Sequence, residues 1–264
     1  MELTVYLINA FSNELSGGNP ACVIPLENWL TDNAMLDIAN KNGVSETAFF
    51  IIEENVVKLR WFTPDIEMDL CGHATLATAH CLKAHLNYPN EEICFKTKSG
   101  TLNVCFKNRL YELNLPNRVG KPAALPREIA NALNIQPKEV YKARDYLLVY
   151  ESQTEIETLK IERSIFDQIN IDPGGVIVTA LGKDSDFVSR FFTPQASILE
   201  DPVTGSSHCT LIPYWFKRLQ KKEMNAQQLS KRGGKIGCIY KGSRVQINGA
   251  ALTVSESVLI RDFD

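Results

Sequence analysis

The sequence predicts an α+β fold made of two copies of one unit, each a mixed or antiparallel sheet curled around a buried helix. Three observations lead there. A pentapeptide is written twice, as Arg60-Trp61-Phe62-Thr63-Pro64 and Arg190-Phe191-Phe192-Thr193-Pro194. After each copy a glycine opens an apolar run, Gly72-His73-Ala74-Thr75-Leu76 in the first half and Gly205-Ser206-Ser207-His208-Cys209 in the second. The length of 264 residues fits about two domains at ~150 residues each.

In chain order, the runs 3–9 and 20–25 are apolar and β-rich, and the turn-forming Ser12-Asn13-Glu14 and Gly17-Gly18-Asn19 separate them, so both are strands. Thr31 and Asp32 give a start signal for a helix over 31–40. Strands follow at 46–52 and 56–63. The segment 73–86 is apolar almost all round, which predicts a buried helix rather than an amphipathic one. Strands at 92–98, 101–107 and 110–115 are joined by tight turns at Ser99-Gly100 and Asn108-Arg109. Residues 116–122 form the best linker. The second half then offers a helix at 126–133 and strands at 145–151, 155–160, 175–181 and 186–193. A second apolar helix runs from Gly205 to Leu219; Pro213 lies inside it, so it is expected to kink or to start late. Strands at 235–240, 243–248 and 251–260 close the chain. The expected domains are 1–117 and 118–255, with the last strand, about 256–264, returning to the first.

Composition narrows the function. An apolar fraction of 44% and a charged fraction of 22% are those of an ordinary globular protein with a sizeable core. A net charge of −3 gives no footprint for nucleic acid, and no apolar stretch is long enough to span a bilayer. Met1-Glu2-Leu3-Thr4 lacks the features of a signal peptide. Seven cysteines, an odd number with no CxxC pair, indicate thiols in a reducing cytoplasm rather than a disulfide framework. No HExxH and no paired Cys/His spacing point to a metal.

The Thr-Pro pairs of the repeated pentapeptide are assigned to architecture, since proline ends strands. The glycines suggest more. Two helices starting at equivalent points of facing copies would aim their N–H groups and positive dipole ends at one anion. A carboxylate-binding cleft between the halves is therefore expected.

Four ordered motifs carry a resemblance: Gly17-Gly18-Asn19-Pro20-Ala21, Ser45-Glu46-Thr47-Ala48-Phe49, Cys71-Gly72-His73-Ala74-Thr75-Leu76-Ala77 and Asp201-Pro202-Val203-Thr204-Gly205-Ser206. The chain resembles the PhzF family of phenazine-biosynthesis-like isomerases from near residue 5 to near residue 260. The resemblance implies the diaminopimelate epimerase fold, with two pseudo-symmetric domains. It also implies no metal or organic cofactor, a small anionic substrate and a homodimer. It places Glu46 on the catalytic acid/base, His73, Asp201 and Ser206 on substrate contacts, and Gly72 and Gly205 at the helix starts. Asn19 and Ser45 fall beside the site. Each has a structural alternative: Glu46 as a solvated residue at a strand start, His73 as a histidine at a helix terminus, Asp201 as an N-cap before Pro202, and Ser206 and Ser207 as satisfying helix-start N–H groups. His80, His85 and His208 are assigned to structure.

Epimerases of that fold use two thiols, one before each helix-opening glycine. Here the first position is Cys71 and the second is Thr204, whose hydroxyl is too weakly acidic to match. What remains is a single-base mechanism in which Glu46 takes a proton from one carbon and returns it to another on the same face. That requires a carboxylate with a pKa near working pH, which burial and a substrate carboxylate would favour. Three readings stand: a one-base isomerase, a two-base racemase or epimerase of an amino acid, and a non-catalytic small-molecule binder.

Overall fold

In the computed structural model, residues 2–54, 56–172 and 174–260 are described. The chain divides into two compact units, Met1–Asn114 with Asn248–Asp264, and Leu115–Ile247.

The first unit begins with β1 (Glu2–Ala10) and β2 (Asn19–Pro25), then α1 (Asp32–Asn42), β3 (Glu46–Glu53), β4 (Val56–Phe62) and the two-residue β5 (Glu67–Met68). Next come α2 (Gly72–Ala84), β6 (Glu92–Thr97), β7 (Gly100–Lys107) and β8 (Leu110–Pro116). The second unit contains β9 (Lys121–Pro122), α3 (Arg127–Ala132), β10 (Glu139–Lys142), β11 (Tyr146–Val149), α4 (Gln153–Thr158) and α5 (Arg163–Phe166). It continues with β12 (Val176–Leu181), β13 (Phe187–Phe192), β14 (Glu200–Asp201), α6 (His208–Leu219), β15 (Glu223–Gln228), β16 (Gly234–Lys241) and β17 (Arg244–Gly249). The last strand, β18 (Ala251–Ile260), pairs antiparallel with β1 along its whole length, from Glu2↔Ile260 to Ala10↔Ala251. That pairing draws the chain into the first unit from 248 onward, earlier than the expected 256. The expected strand end at 261–264 lies outside the described residues.

The duplication is visible in the hydrogen-bond ladders. In the first unit β2 pairs parallel with β3, β3 antiparallel with β4, β4 parallel with β6 and β6 antiparallel with β7. In the second, β11, β12, β13, β15 and β16 pair in the same alternation. Each repeated pentapeptide ends the third strand of its ladder and then folds back as a short hairpin. Phe62 pairs with Glu67 and Phe192 with Glu200.

Each arginine of the motif closes its hairpin with a two-toothed ion pair. Arg60 Nε and Nη2 donate to Glu67 at 2.8 and 2.9 Å, and Arg190 Nε and Nη2 donate to Glu200 at 2.7 and 3.0 Å. The guanidinium groups also lie over Phe62 and Phe192, at 5.1 and 4.8 Å from the ring centres. Thr63 Oγ1 accepts from the backbone of Asp65 and Ile66, which gives the Thr-Pro pair the turn-forming role assigned to it.

Helix α2 is buried on nearly every side and packs against β1, β2, β3 and β18, as its unbroken apolar run requires. His80 and His85, on that helix and at its end, both contact Thr253 Oγ1 of β18, at 3.0 and 2.8 Å. Helix α6 starts at His208, three residues after Gly205, with turn bonds from His208 N to Gly205 O and Cys209 N to Ser206 O leading in. Pro213 has no N–H to give the Cys209 carbonyl one turn back. The backbone N–H of Arg118 fills that gap at 2.9 Å.

Some elements differ from the sequence reading. Residues 155–160 are expected as a strand, but 155–158 belong to α4, which a capping box between Ser152 and Glu155 starts, and Leu159 caps its end. Asp201 is not a helix N-cap: it sits in β14, and Ser207 occupies the N-cap position of α6. Strand β15 escaped the apolar-run criterion because its buried face is Met224, Ala226 and Gln228. Among the described residues no helix is long and apolar enough to cross a membrane.

Replacing Arg190 by methionine should strip Glu200 of its partner, together with the Ile156 and Leu159 carbonyls that Arg190 Nη1 serves at 3.0 Å. We expect a loss of about 3 kcal/mol in denaturant unfolding. The control Lys41→Met, which breaks the exposed Lys41–Asp37 pair, should change stability by less than about 1 kcal/mol. Equal effects would show that the forks are surface decoration.

Candidate active site

In the first unit, three strand and helix ends meet. Gly18 takes a left-handed φ of +70°, and a Cβ there would lie 2.3 Å from the Ala10 carbonyl oxygen, so only glycine lets β2 start where it does. Asn19 follows as the first residue of β2 and is fully buried. Glu46 is the first residue of β3, placed opposite Ala21 of β2. Cys71 occupies the N-cap position of α2 without making a side-chain cap, and Gly72 and His73 are its first two residues.

His73 is the hub. Its Nδ1 lies 3.1 Å from Asn19 Nδ2, an amide nitrogen that can only donate. Nδ1 is thus the acceptor, and the ring proton sits on Nε2. That Nε2 is 3.1 Å from Glu46 Oε2, although in this resting arrangement the N–H is not aligned as a hydrogen bond. The Glu46 side chain is 13% exposed, so it is mostly enclosed but reachable, not a solvated strand end. Burial pushes the His73 pKa down to about 3, which leaves the imidazole neutral and an N–H donor rather than a cation. Ser45 is buried next to Glu46 in sequence.

Cys71 Sγ lies 3.5 Å from His73 Nδ1. Glu46, Cys71 and His73 each offer one donor atom within 4.8 Å of one another, the set a metal ion would use. Glu46 Oε2 stands 3.1 Å from Nε2 and the thiol 3.5 Å from Nδ1.

The second unit holds the other candidates. The Thr204 hydroxyl bonds the Asp201 carboxylate; a carboxylate can only accept, so Thr204 is the donor. Gln228, fully buried, clamps the same turn: its Oε1 accepts from Thr204 N at 2.9 Å and its Nε2 donates to the Asp201 carbonyl at 2.7 Å. Ser207 Oγ donates to the Thr204 carbonyl at 2.7 Å. Ser206 is buried, and its Oγ accepts from Arg144 Nη2 at 3.2 Å, so its hydroxyl is engaged by an arginine. His208 Nδ1 donates to the Thr204 carbonyl at 2.9 Å, and burial lowers its pKa to about 4, in keeping with a structural role. Cys209 is buried, and burial lifts its thiol pKa to about 11. The sequence reading overlooked Arg144 and Gln228. Arg144-Asp145 stands as an opposite-charge pair just before the apolar run of β11, the one trace it leaves.

The phenazine biosynthesis-like family model, PhzC-PhzF, matches residues 8–257. The chain belongs to the PhzF family. An uncharacterized isomerase of Pseudomonas aeruginosa is 42% identical over 97% of both chains, and the human phenazine biosynthesis-like domain-containing protein is 34% identical over 98% of this chain and 99% of that one. A PhzF family protein of Enterococcus faecalis superposes with a TM-score of 0.92 at 40% identity, covering 99% of this chain and all of that one. The fold is epimerase-like: a hydroxyproline epimerase of Agrobacterium vitis, 9% identical, covers 98% of this PhzF chain with a TM-score of 0.64. The family is enzymatic, and the names of several relatives support a general isomerase role.

Two fully buried, neutral histidines make this PhzF protein acid-sensitive. His73 and His208 have folded pKa values of about 3 and about 4, below the ordinary 6.5, so the unfolded chain binds their protons first. Their contribution is intact above pH 6.5 and is lost as pH falls towards 3, by up to about 1.4 kcal/mol per pH unit for each histidine. The melting temperature should drop steadily between pH 6.5 and 4.5. His208→Asn, which keeps a donor for the Thr204 carbonyl, should flatten that slope.

Proposed function

We propose that the protein is a cofactor-independent isomerase that moves a proton between carbons of a small carboxylate-bearing substrate, with Glu46 as the single base. The observation that carries this reading is the asymmetry between the two helix starts. Beside α2 stands a mostly enclosed carboxylate next to a neutral N–H donor, Glu46 with His73. At the matching position of the second copy stands Thr204, whose hydroxyl proton is committed to Asp201. A hydroxyl held as a donor to a carboxylate takes no proton from carbon. A two-base inversion therefore has one base, and a same-face transfer needs no more.

In this mechanism the neutral Nε2–H of His73 positions the Glu46 carboxylate while it is ionised, and Asn19 keeps the ring in the tautomer that can do so. Glu46 removes a proton from an allylic or α-carbon. The electron pair moves into the conjugated system, and the same carboxyl delivers the proton to a second carbon. The N–H groups at Gly72 and His73 lower the energy of the negative charge built up in between. Asp201, Gly205 and Ser206 are proposed as substrate contacts contributed by the second copy, with Ser45 beside the base. The substrate class is an unsaturated or cyclic amino or hydroxy acid.

Turnover of a panel of such acids, followed by NMR in D₂O, tests the base. Glu46→Gln should lower turnover at least ~100-fold and leave binding nearly unchanged; near-normal turnover in the folded variant would reject the assignment. Product should show a migrated double bond or tautomer without inversion at a stereocentre. Cys71→Ser should remain substantially active. Clean inversion with solvent deuterium on the product face, abolished by Cys71→Ser, would instead establish a thiol mechanism.

A further inference from the structure

We infer that Arg144, anchored by Asp145, is a positioning residue that turns the Ser206 hydroxyl into a dedicated donor for a substrate anion. The inference rests on the reading of Ser206 as a substrate contact and adds what sets its polarity.

Asp145 is fully buried, and its Oδ1 accepts from Arg144 Nε at 3.1 Å and from the Gly175 backbone at 2.9 Å. The Gly175 bond comes from rigid backbone. A Cβ at that position would meet the Phe191 ring at 2.3 Å, so only glycine brings the N–H this close. With Nε tied down, the Arg144 guanidinium, on a side chain 13% exposed, has its Nη2 on Ser206 Oγ at 3.2 Å. A hydroxyl that accepts from a cation has one lone pair occupied and its proton still to give. It also gives that proton more readily, because the cation withdraws charge from the oxygen. Such a group favours an anion and disfavours an ammonium or another donor.

The surroundings have the same sign. Arg118 and Arg244 act on the Cys209 thiol, in the first turn of α6, in the same direction as Arg144, with Asp145 the opposing acid. Arg118 is also fixed to that turn through its backbone bond to the Cys209 carbonyl. At Cys209, three residues beyond Ser206, three arginines act against Asp145, and the other acid of this turn, Asp201, is engaged by the Thr204 hydroxyl; this balance suits a carboxylate or another oxyanion at Ser206. A lysine at 144 would keep the charge but could not span Asp145 and Ser206 with a planar fork.

The test is anion binding by the full chain and needs no turnover. Sodium sulfate is titrated at constant ionic strength, and the amide shifts of Gly205 and Ser206 are followed by NMR. Wild type should bind sulfate there. Arg144→Lys and Ser206→Ala should each weaken it about tenfold, and the double variant should be no weaker than Ser206→Ala alone. Asp145→Asn, which keeps an acceptor for Gly175, should weaken binding in wild type but not in the Ser206→Ala background, and it carries the test if Arg144→Lys does not fold. Additive losses, wild-type affinity in both Arg144→Lys and Asp145→Asn, or no sulfate response at Gly205 and Ser206 would overturn the inference. Sulfate binding by Glu46→Gln should equal that of wild type, so a failure of the base assignment leaves this result standing.

Discussion

A guanidinium gripping a carboxylate across a hairpin with a two-residue return strand is the interaction on which each helix start depends. It occurs once in each copy, as Arg60 with Glu67 and Arg190 with Glu200. Each fork ties the end of a ladder strand to the segment folding back beside it, and that segment leads to the next helix. Where the helix starts is therefore set by how tightly the hairpin closes. Partial burial makes such forks worth more than surface ion pairs. The second hairpin spans a longer loop than the first, and Gln195 absorbs the difference with a φ of +64°.

Equivalent frames hold unlike chemistry. The first helix start carries a thiol, a neutral imidazole and a nearby carboxylate; the second carries hydroxyls, an amide clamp and an arginine. Burial fixes protonation in the first: desolvation disfavours a positive charge on His73, which stays a neutral imidazole. Hydrogen bonding fixes polarity in the second, where Asp201 claims the Thr204 proton and Arg144 claims a Ser206 lone pair. On the proposed reading, unlike side chains on one repeated geometry divide proton transfer from anion recognition.

Most of the fold was legible because its signals are local. The apolar run of α2, the Thr31 cap of α1 and the Asn108-Arg109 turn, with φ of +52° and +64°, each declare themselves within a few residues. Strand β15 did not, because its buried face includes Gln228, a polar residue whose partners lie 24 to 27 positions away. The capping box at Ser152 and Glu155 was present in the sequence but was outweighed by an apparent alternation over 155–160. Motifs carry Glu46, His73 and Asn19, and the structure brings these three together. No motif carries Arg144, whose partner Ser206 lies 62 residues downstream, and no short pattern links the two.

The pairing of β1 with β18 sets the order in which the chain can become native on the ribosome. Leu115–Ile247 is one contiguous segment, so the second unit is complete in sequence before β18 is made. The first unit, though its opening strands precede the second unit, lacks one of the two neighbours of β1 and the Thr253 anchor for His80 and His85 until translation reaches β18. Until then β1 exposes an unpaired edge, the kind of edge that invites wrong partners. The unit that holds Glu46 opens before the second unit and is completed only after it, which ties the native setting of Glu46 to the synthesis of β18.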